Sequence, residues 1–137
     1  MTAVTSLHRR LARVGPGLYR WSGPELAGTI VAALVSQGRR AVLVAATASK
    51  AEVIDALAAA YRFPPGTGRN WDALADLLAD HAGGTVLVLD ASALATAASS
   101  DWDTLRSVLA DTAAWFAPSP DGFSVIVLGA GDDLPRA

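Results

Sequence analysis

The chain has 137 residues, 52% of them apolar, with a net charge of −2 and no cysteine. That length supports one domain with a real core, and the lack of thiols excludes disulfides, thiolate metal sites and cysteine catalysis while suiting a cytoplasmic location. No apolar run is long enough to span a bilayer, and no hydrophobic signal core follows Arg9, Arg10 and Arg13, so neither insertion nor secretion is expected.

Ser6 to Val14 predicts a short amphipathic helix with Leu7, Leu11 and Val14 on one side, ended by Gly15-Pro16-Gly17. Residues 1–16 as a whole are expected to be a flexible, solvated segment, as chain termini commonly are. Leu18 to Trp21 reads as a short strand. Ser22-Gly23-Pro24-Glu25 has the form of a capping box, and Leu26, Ile30, Val31 and Leu34 then keep a helical period up to a stop at Gly38. Residues 18–40 thus form a strand-helix unit ahead of the rest.

Ala41 to Ala45 is a continuous apolar run, the pattern of a strand buried on both faces. Ser49-Lys50-Ala51-Glu52 offers a second capping box, and Val53, Ile54, Leu57 and Tyr61 mark the apolar side of the helix that follows until Pro64-Pro65. The next stretch, Phe63 to Leu78, is the most distinctive. A Pro/Gly-rich loop runs into Asn70, a good N-cap, and then a helix with Trp71, Leu74, Leu77 and Leu78 on one side. Asp72, Asp76 and Asp80 repeat every four residues on another side, with no Lys or Arg among residues 70–105 to neutralise them. Like charges at that spacing repel by a few tenths of a kcal/mol per pair. Such a stripe reads either as a solvated face or as a surface that seeks a cationic partner.

Gly83-Gly84 closes this helix, and Thr85 to Leu89 is a second buried strand. Residues 91–100, rich in Ala and Ser, read as a loop with at most a weak helical turn. Ser100 to Phe116 predicts a helix with Trp102, Leu105, Val108, Leu109 and Phe116 inward and Asp103, Ser107 and Asp111 outward. After the turn at Pro118 to Gly122, Phe123 to Leu128 is a third apolar strand, and residues 130–137 are expected as a loose tail. Apolar strands alternating with helices predict an α/β fold: a mostly parallel sheet of three to four strands flanked by helices.

Charge is unevenly placed. Residues 1–69 carry nine Lys/Arg and three Asp/Glu, a balance of +6, whereas residues 70–137 carry two and ten, a balance of −8. Unless folding interleaves the halves, the second attracts a basic partner and suits nucleic acid poorly. Catalytic chemistry is sparse. His8 and His81 are far apart, Lys50 is the only lysine, and no nucleophile elbow, zinc-protease or P-loop motif occurs. Gly66-Thr67-Gly68-Arg69-Asn70-Trp71 begins like a dinucleotide fingerprint but has Trp at the third glycine and follows a helix; Gly129-Ala130-Gly131 has no helix after it. No cofactor is expected. Asp72 with Asp76 could hold a hard cation such as Mg²⁺, which leaves a metal-binding enzyme as a remote alternative.

The segment Gly68-x-Asn70-x-Asp72-Ala73-Leu74-x-Asp76 resembles the G-x-N-x-D-A-L-x-D segment of the barstar family, intracellular inhibitors of a secreted ribonuclease. The order of elements from 41 to 128 is similar too, with residues 18–40 as an extension of the kind seen in longer actinobacterial members. The resemblance implies a three-layer barstar-like domain over 17–129 and a non-enzymatic inhibitor or immunity protein of a toxin-antitoxin pair. It implies that the acidic helix and the loop before it plug the active site of a basic ribonuclease, 1:1, with carboxylates standing in for RNA phosphates. The free protein would be a monomer. Gly68, Arg69, Asn70, Asp72, Ala75, Asp76, Asp80 and Asp111 are the implied partner-binding residues, with Asp76 deepest against the partner's cations and Asp111 peripheral. There are departures. Gly66 and Thr67 stand where such loops carry aromatics, Arg69 replaces an acid, and Ala75 is small where a bulky residue is common. They allow a second reading, an interaction module of the same fold with a non-nuclease partner.

Overall fold

The structure is a computed structural model that describes residues 3–137. In chain order it contains α1 (Ala3–Ala12), β1 (Gly17–Arg20), α2 (Ala27–Ser36), β2 (Arg40–Val44), α3 (Lys50–Tyr61), α4 (Trp71–His81), β3 (Thr85–Asp90), α5 (Ser92–Ala97), α6 (Ser99–Phe116) and β4 (Ser124–Leu128). The strands form one four-stranded sheet in the order β1-β4-β3-β2, and all pairs are parallel. The expected α/β, three-layer architecture is therefore present, with the sheet wholly parallel.

Alternation along the two central strands divides the core. Leu87, Leu89, Val125 and Val127 point to the side covered by α3, α4, α5 and α6, where they meet Leu57, Leu74, Leu78, Leu105 and Leu109. Val86, Val88 and Ile126 point the other way, against Leu7 and Leu11 of α1 and Ile30 and Leu34 of α2. Both faces of β3 and β4 are thus buried, which is why these strands read as continuous apolar runs.

Four expectations need correction. Residues 3–16 are not a solvated terminus: Leu7, Leu11 and Val14 are buried and close the second face of the sheet, while residues 1–2 lie outside the described residues. Residues 130–137 are not loose. Arg20 N–H donates to Pro135 O at 2.8 Å, Ala137 N–H donates to Arg20 O at 2.9 Å, and Asp133 pairs with Arg106. The first capping box does not form, because Glu25 instead accepts from Trp21 Nε1 at 3.2 Å and α2 starts two residues later, at Ala27. Residues 92–97 form a helix rather than a loop. Asp90 Oδ1 accepts from Ser92 N–H and Oγ–H at its start, and Leu94 anchors it in the core.

A fifth difference concerns β2. Its apolar run predicts burial on both faces, yet the strand sits at the sheet edge with only β3 beside it, and Leu43 is 43% exposed. The second capping box does form: Ser49 Oγ accepts from Glu52 N–H at 3.2 Å, and the Glu52 carboxylate reaches back to Ala48 N–H.

Candidate functional site

The loop between α3 and α4 is shaped by backbone demands. Arg62 ends α3 in the left-handed region (φ 55), which lets Phe63 N–H donate to Ala58 O at 2.9 Å. Phe63 then stacks beside Tyr61 and approaches His81 of α4 at 5.3 Å between centroids, so the loop is pinned to both helices. Gly66 turns with φ 84, a conformation that costs a side chain but not glycine.

The start of α4 is held by Asn70, whose Oδ1 accepts from Ala73 N–H at 2.8 Å. Gly68 makes room for this cap. A Cβ at Gly68 would stand 2.8 Å from Asn70 Nδ2, on a side chain already committed to its hydrogen bond. The conjunction of Gly68 and Asn70 in the sequence therefore has a steric cause.

Leu74 and Leu78 bury one side of α4, while Asp72, Asp76 and Asp80 are exposed on the other. Among the described residues none of the three lies in an ion pair; the two ion pairs present are Arg69–Asp55 and Arg106–Asp133. Trp71 is half-buried against the core with Lys50 Nζ 5.4 Å from its ring centroid, so it belongs to the rim of the core. Ala75, between the two leading aspartates, is half-buried. Asp111 is exposed on α6, the helix that packs against α4.

Arg69 does not point its charge freely at this surface. Its Nε is 2.8 Å from Asp55 Oδ1 on α3, and the pair closes one side of a cavity of about 190 Å³ between α3, the loop and α4. Asp55 was not visible as a site residue from sequence, since it lies one loop away and no spacing rule connects the two positions. The halves of the chain interleave in the sheet, so the charge asymmetry is kept only in part: Lys50 and Arg69 of the first half share the side of α4. The aspartates of α4 and α6 lie on one side of the sheet, and Arg9, Arg10 and Arg13 of the α1 segment lie across it, Arg10 stacked 4.0 Å over the Trp21 ring.

The arrangement presents negative charge on a rigid, capped helix. Among the described residues no group of three or more His, Cys, Asp or Glu is placed to hold a metal ion, and no helix is long and apolar enough to cross a membrane.

Comparison with known proteins gives two findings. In its fold the chain is similar to a solved structure of the Aeropyrum pernix ORC2 protein (ADPNP-ADP complexes), at 16% identity and a TM-score of 0.51, over 93% of this chain and 40% of that one. At that identity the likeness is one of fold alone, and the chain spans well under half the length of that structure. No match is found among curated proteins. The family model Barstar (barnase inhibitor) matches residues 40–128, from the first residue of β2 to the last of β4 and through the whole of the loop and α4. The chain belongs to the Barstar family.

Proposed function

We propose that this protein is a non-enzymatic inhibitor, an immunity protein that occludes the active site of a basic ribonuclease toxin in the cytoplasm by a 1:1 contact through α4 and the loop before it. The observation that carries this reading is the row Asp72, Asp76 and Asp80, exposed on a helix whose other side is buried and without a basic partner among the described residues. The like-charge repulsion within the row is left for a positively charged cavity to relieve. Gly68 and Asn70 support it by fixing the helix start, so that the carboxylates are presented with little flexibility.

Titration of a barnase-type ribonuclease with the protein, followed by RNA cleavage and by calorimetry, tests the proposal. Inhibition should saturate at one equivalent and weaken as salt rises. Asp76→Ala should weaken binding roughly 30-fold or more, the order seen when one partner of a buried charge pair is removed. Its melting temperature should not fall, because the substitution removes repulsion and no packing. Equal inhibition by wild type and Asp76→Ala would remove the premise.

A second reading is favoured by the loop. Gly66 and Thr67 offer no aromatic anchor, and the charge of Arg69 is engaged by Asp55. A partner of the same basic character that is not a nuclease would use the same carboxylates. Binding of such a protein with no effect on any basic ribonuclease would select this reading.

A further inference from the structure

We infer that the exposed indole of Trp115 on α6 extends the acidic surface of α4 as a seat for one arginine side chain of the basic partner, with the guanidinium stacked on the ring and paired with Asp111. The inference rests on the inhibitor proposal and adds to it a residue and the chemistry that residue reads. The chain has four tryptophans. Trp21 and Trp102 are buried and Trp71 is half-buried at the rim of the core, whereas Trp115 is 69% exposed. A single exposed Leu or Val is ordinary for a protein surface. An exposed indole carries more weight, since Trp is among the side chains that most often dominate binding interfaces.

The packing of α6 fixes where this ring stands. Arg106, Ala110, Ala114 and Ala117 line a hollow against Gly17 and Leu18 of β1, so that flank of the helix faces the sheet edge. Val108, Asp111 and Trp115, spaced by three and four residues, share the opposite flank, towards α4, against which α6 also packs. The Phe116 ring stands where a Cβ on Gly83 would be 2.7 Å from it, so the C-terminal ends of α4 and α6 meet. Trp115 is therefore beside the end of α4 that carries Asp80. Leu74 and Leu77 of α4 line the cavity on the α3 side, which leaves the small, half-buried Ala75 and Ala79 towards α6 and no bulky side chain of α4 over the indole.

Charge selects the occupant. Trp115 lies in the last turn of α6, which carries no basic residue, so the negative end of the helix dipole is left uncompensated there. Asp111, one turn earlier, is exposed and in no ion pair among the described residues. With the acidic row of α4 alongside, a cation is the complement of this ring, and Trp is the aromatic that holds one best. Side chains four apart on a helix are about 5–6 Å apart at Cβ, near enough for one planar guanidinium to lie on the indole and donate to the carboxylate. The chain builds the same combination internally: Arg10 stacks 4.0 Å over the Trp21 ring, whose Nε1 donates to Glu25, four residues on. At Trp115 the ring and the carboxylate face solvent, open to an arginine from another protein. The loop before α4 offers no such anchor, since Gly66 and Thr67 are small and Phe63 is held between Tyr61 and His81.

Calorimetry of the full chain and its variants with a barnase-type ribonuclease tests the inference. Trp115→Ala should weaken binding about tenfold or more, with no fall in melting temperature because the ring is exposed. Trp115→Phe should keep most of the affinity, and Trp115→Leu, apolar but without a π face, should not. Asp111→Asn should weaken binding as well, and by much less in the Trp115→Leu background, because the two side chains hold one group. Wild-type affinity for Trp115→Leu, or strictly additive losses with Asp111→Asn, would overturn the inference. Wild-type affinity for Trp115→Ala beside a weakened Asp76→Ala would overturn it and leave the inhibitor proposal standing. Loss at Trp115 with none at Asp76 would do the reverse, and a wild type that does not bind the ribonuclease would end both.

Discussion

Arg69, in the loop before α4, is held by Asp55 on α3, with Nε and Oδ1 2.8 Å apart. Both side chains are half or more exposed, 65% and 50%, so the pair adds at most about 1 kcal/mol to stability. Its larger consequence is electrostatic. It engages a cation next to the N-terminus of a helix that carries three exposed aspartates, where Lys50 also lies, 5.4 Å from the Trp71 ring. Asp55→Ala should release that charge and slow association with a basic ribonuclease a few-fold at low salt, while Arg69→Ala should speed it by a similar factor. Both differences should shrink as ionic strength rises. Stopped-flow association rates at two salt concentrations check this, and identical rates for the two variants would show that Arg69 is not sensed at the docking surface.

Gly68 and Asn70 form a steric couple, and a double-mutant cycle should expose it. Asn70→Ala removes the cap bond to Ala73 N–H and should destabilise by about 1 kcal/mol. Gly68→Ala places its Cβ 2.8 Å from Asn70 Nδ2 and should displace the same cap. In the Asn70→Ala background that clash has no target, so the second substitution should add almost nothing. Denaturant unfolding of the four proteins reads the coupling; strictly additive losses would mean that the cap and the loop are independent.

Most of the layer structure is legible in the sequence because β3 and β4 are central. Val86 to Leu89 and Val125 to Val127 are buried on both faces and read as unbroken apolar runs. The same reasoning misplaces β2, since an edge strand with Leu43 half in solvent has the same composition as a buried one. Burial of an apolar run is decided by its neighbours in the sheet, which composition does not encode. The acidic stripe and the Asn70 cap are local features with a period of four and a fixed offset, so spacing finds them. The Asp55–Arg69 pair and the tail against Arg20 join positions through tertiary structure, and no spacing reports them.

Tyr61 supplies a pH-dependent test of the packing behind the loop. Thr85 Oγ1 donates its hydrogen to Ala82 O at 2.6 Å, so in the 2.9 Å contact with Tyr61 the phenol is the donor. Burial pushes its pKa from the usual 10.0 to about 12, against a smaller opposing effect of the Arg40 charge. With the folded value raised, the unfolded chain releases its proton first as pH rises. The contribution is therefore complete below pH 10 and is lost progressively up to about pH 12, by roughly 2–3 kcal/mol in all. Tyr61→Phe leaves the Thr85 hydroxyl oxygen without that donor and should lose about 1 kcal/mol at neutral pH. It should also flatten the decline in stability between pH 10 and 12 relative to wild type. Equal slopes for the two proteins would show that Tyr61 does not control that range.

The α1 segment should prove indispensable to the sheet rather than an accessory. Leu11 is fully buried, and with Leu7 it covers Val86, Val88 and Ile126. Leu11→Ala should therefore lose 2–5 kcal/mol by about the usual measure for a buried leucine. Arg13→Ala, at an exposed position in the same segment, should stay within about 0.5 kcal/mol. Binding to a ribonuclease should be unchanged for folded Leu11→Ala at low temperature, because α1 lies across the sheet from α4. Thermal melts compared with calorimetric affinities separate these outcomes. A loss of affinity as large as the loss of stability would mean that the two faces of the sheet are coupled, contrary to the rigid central strands on which the presentation of Asp76 depends.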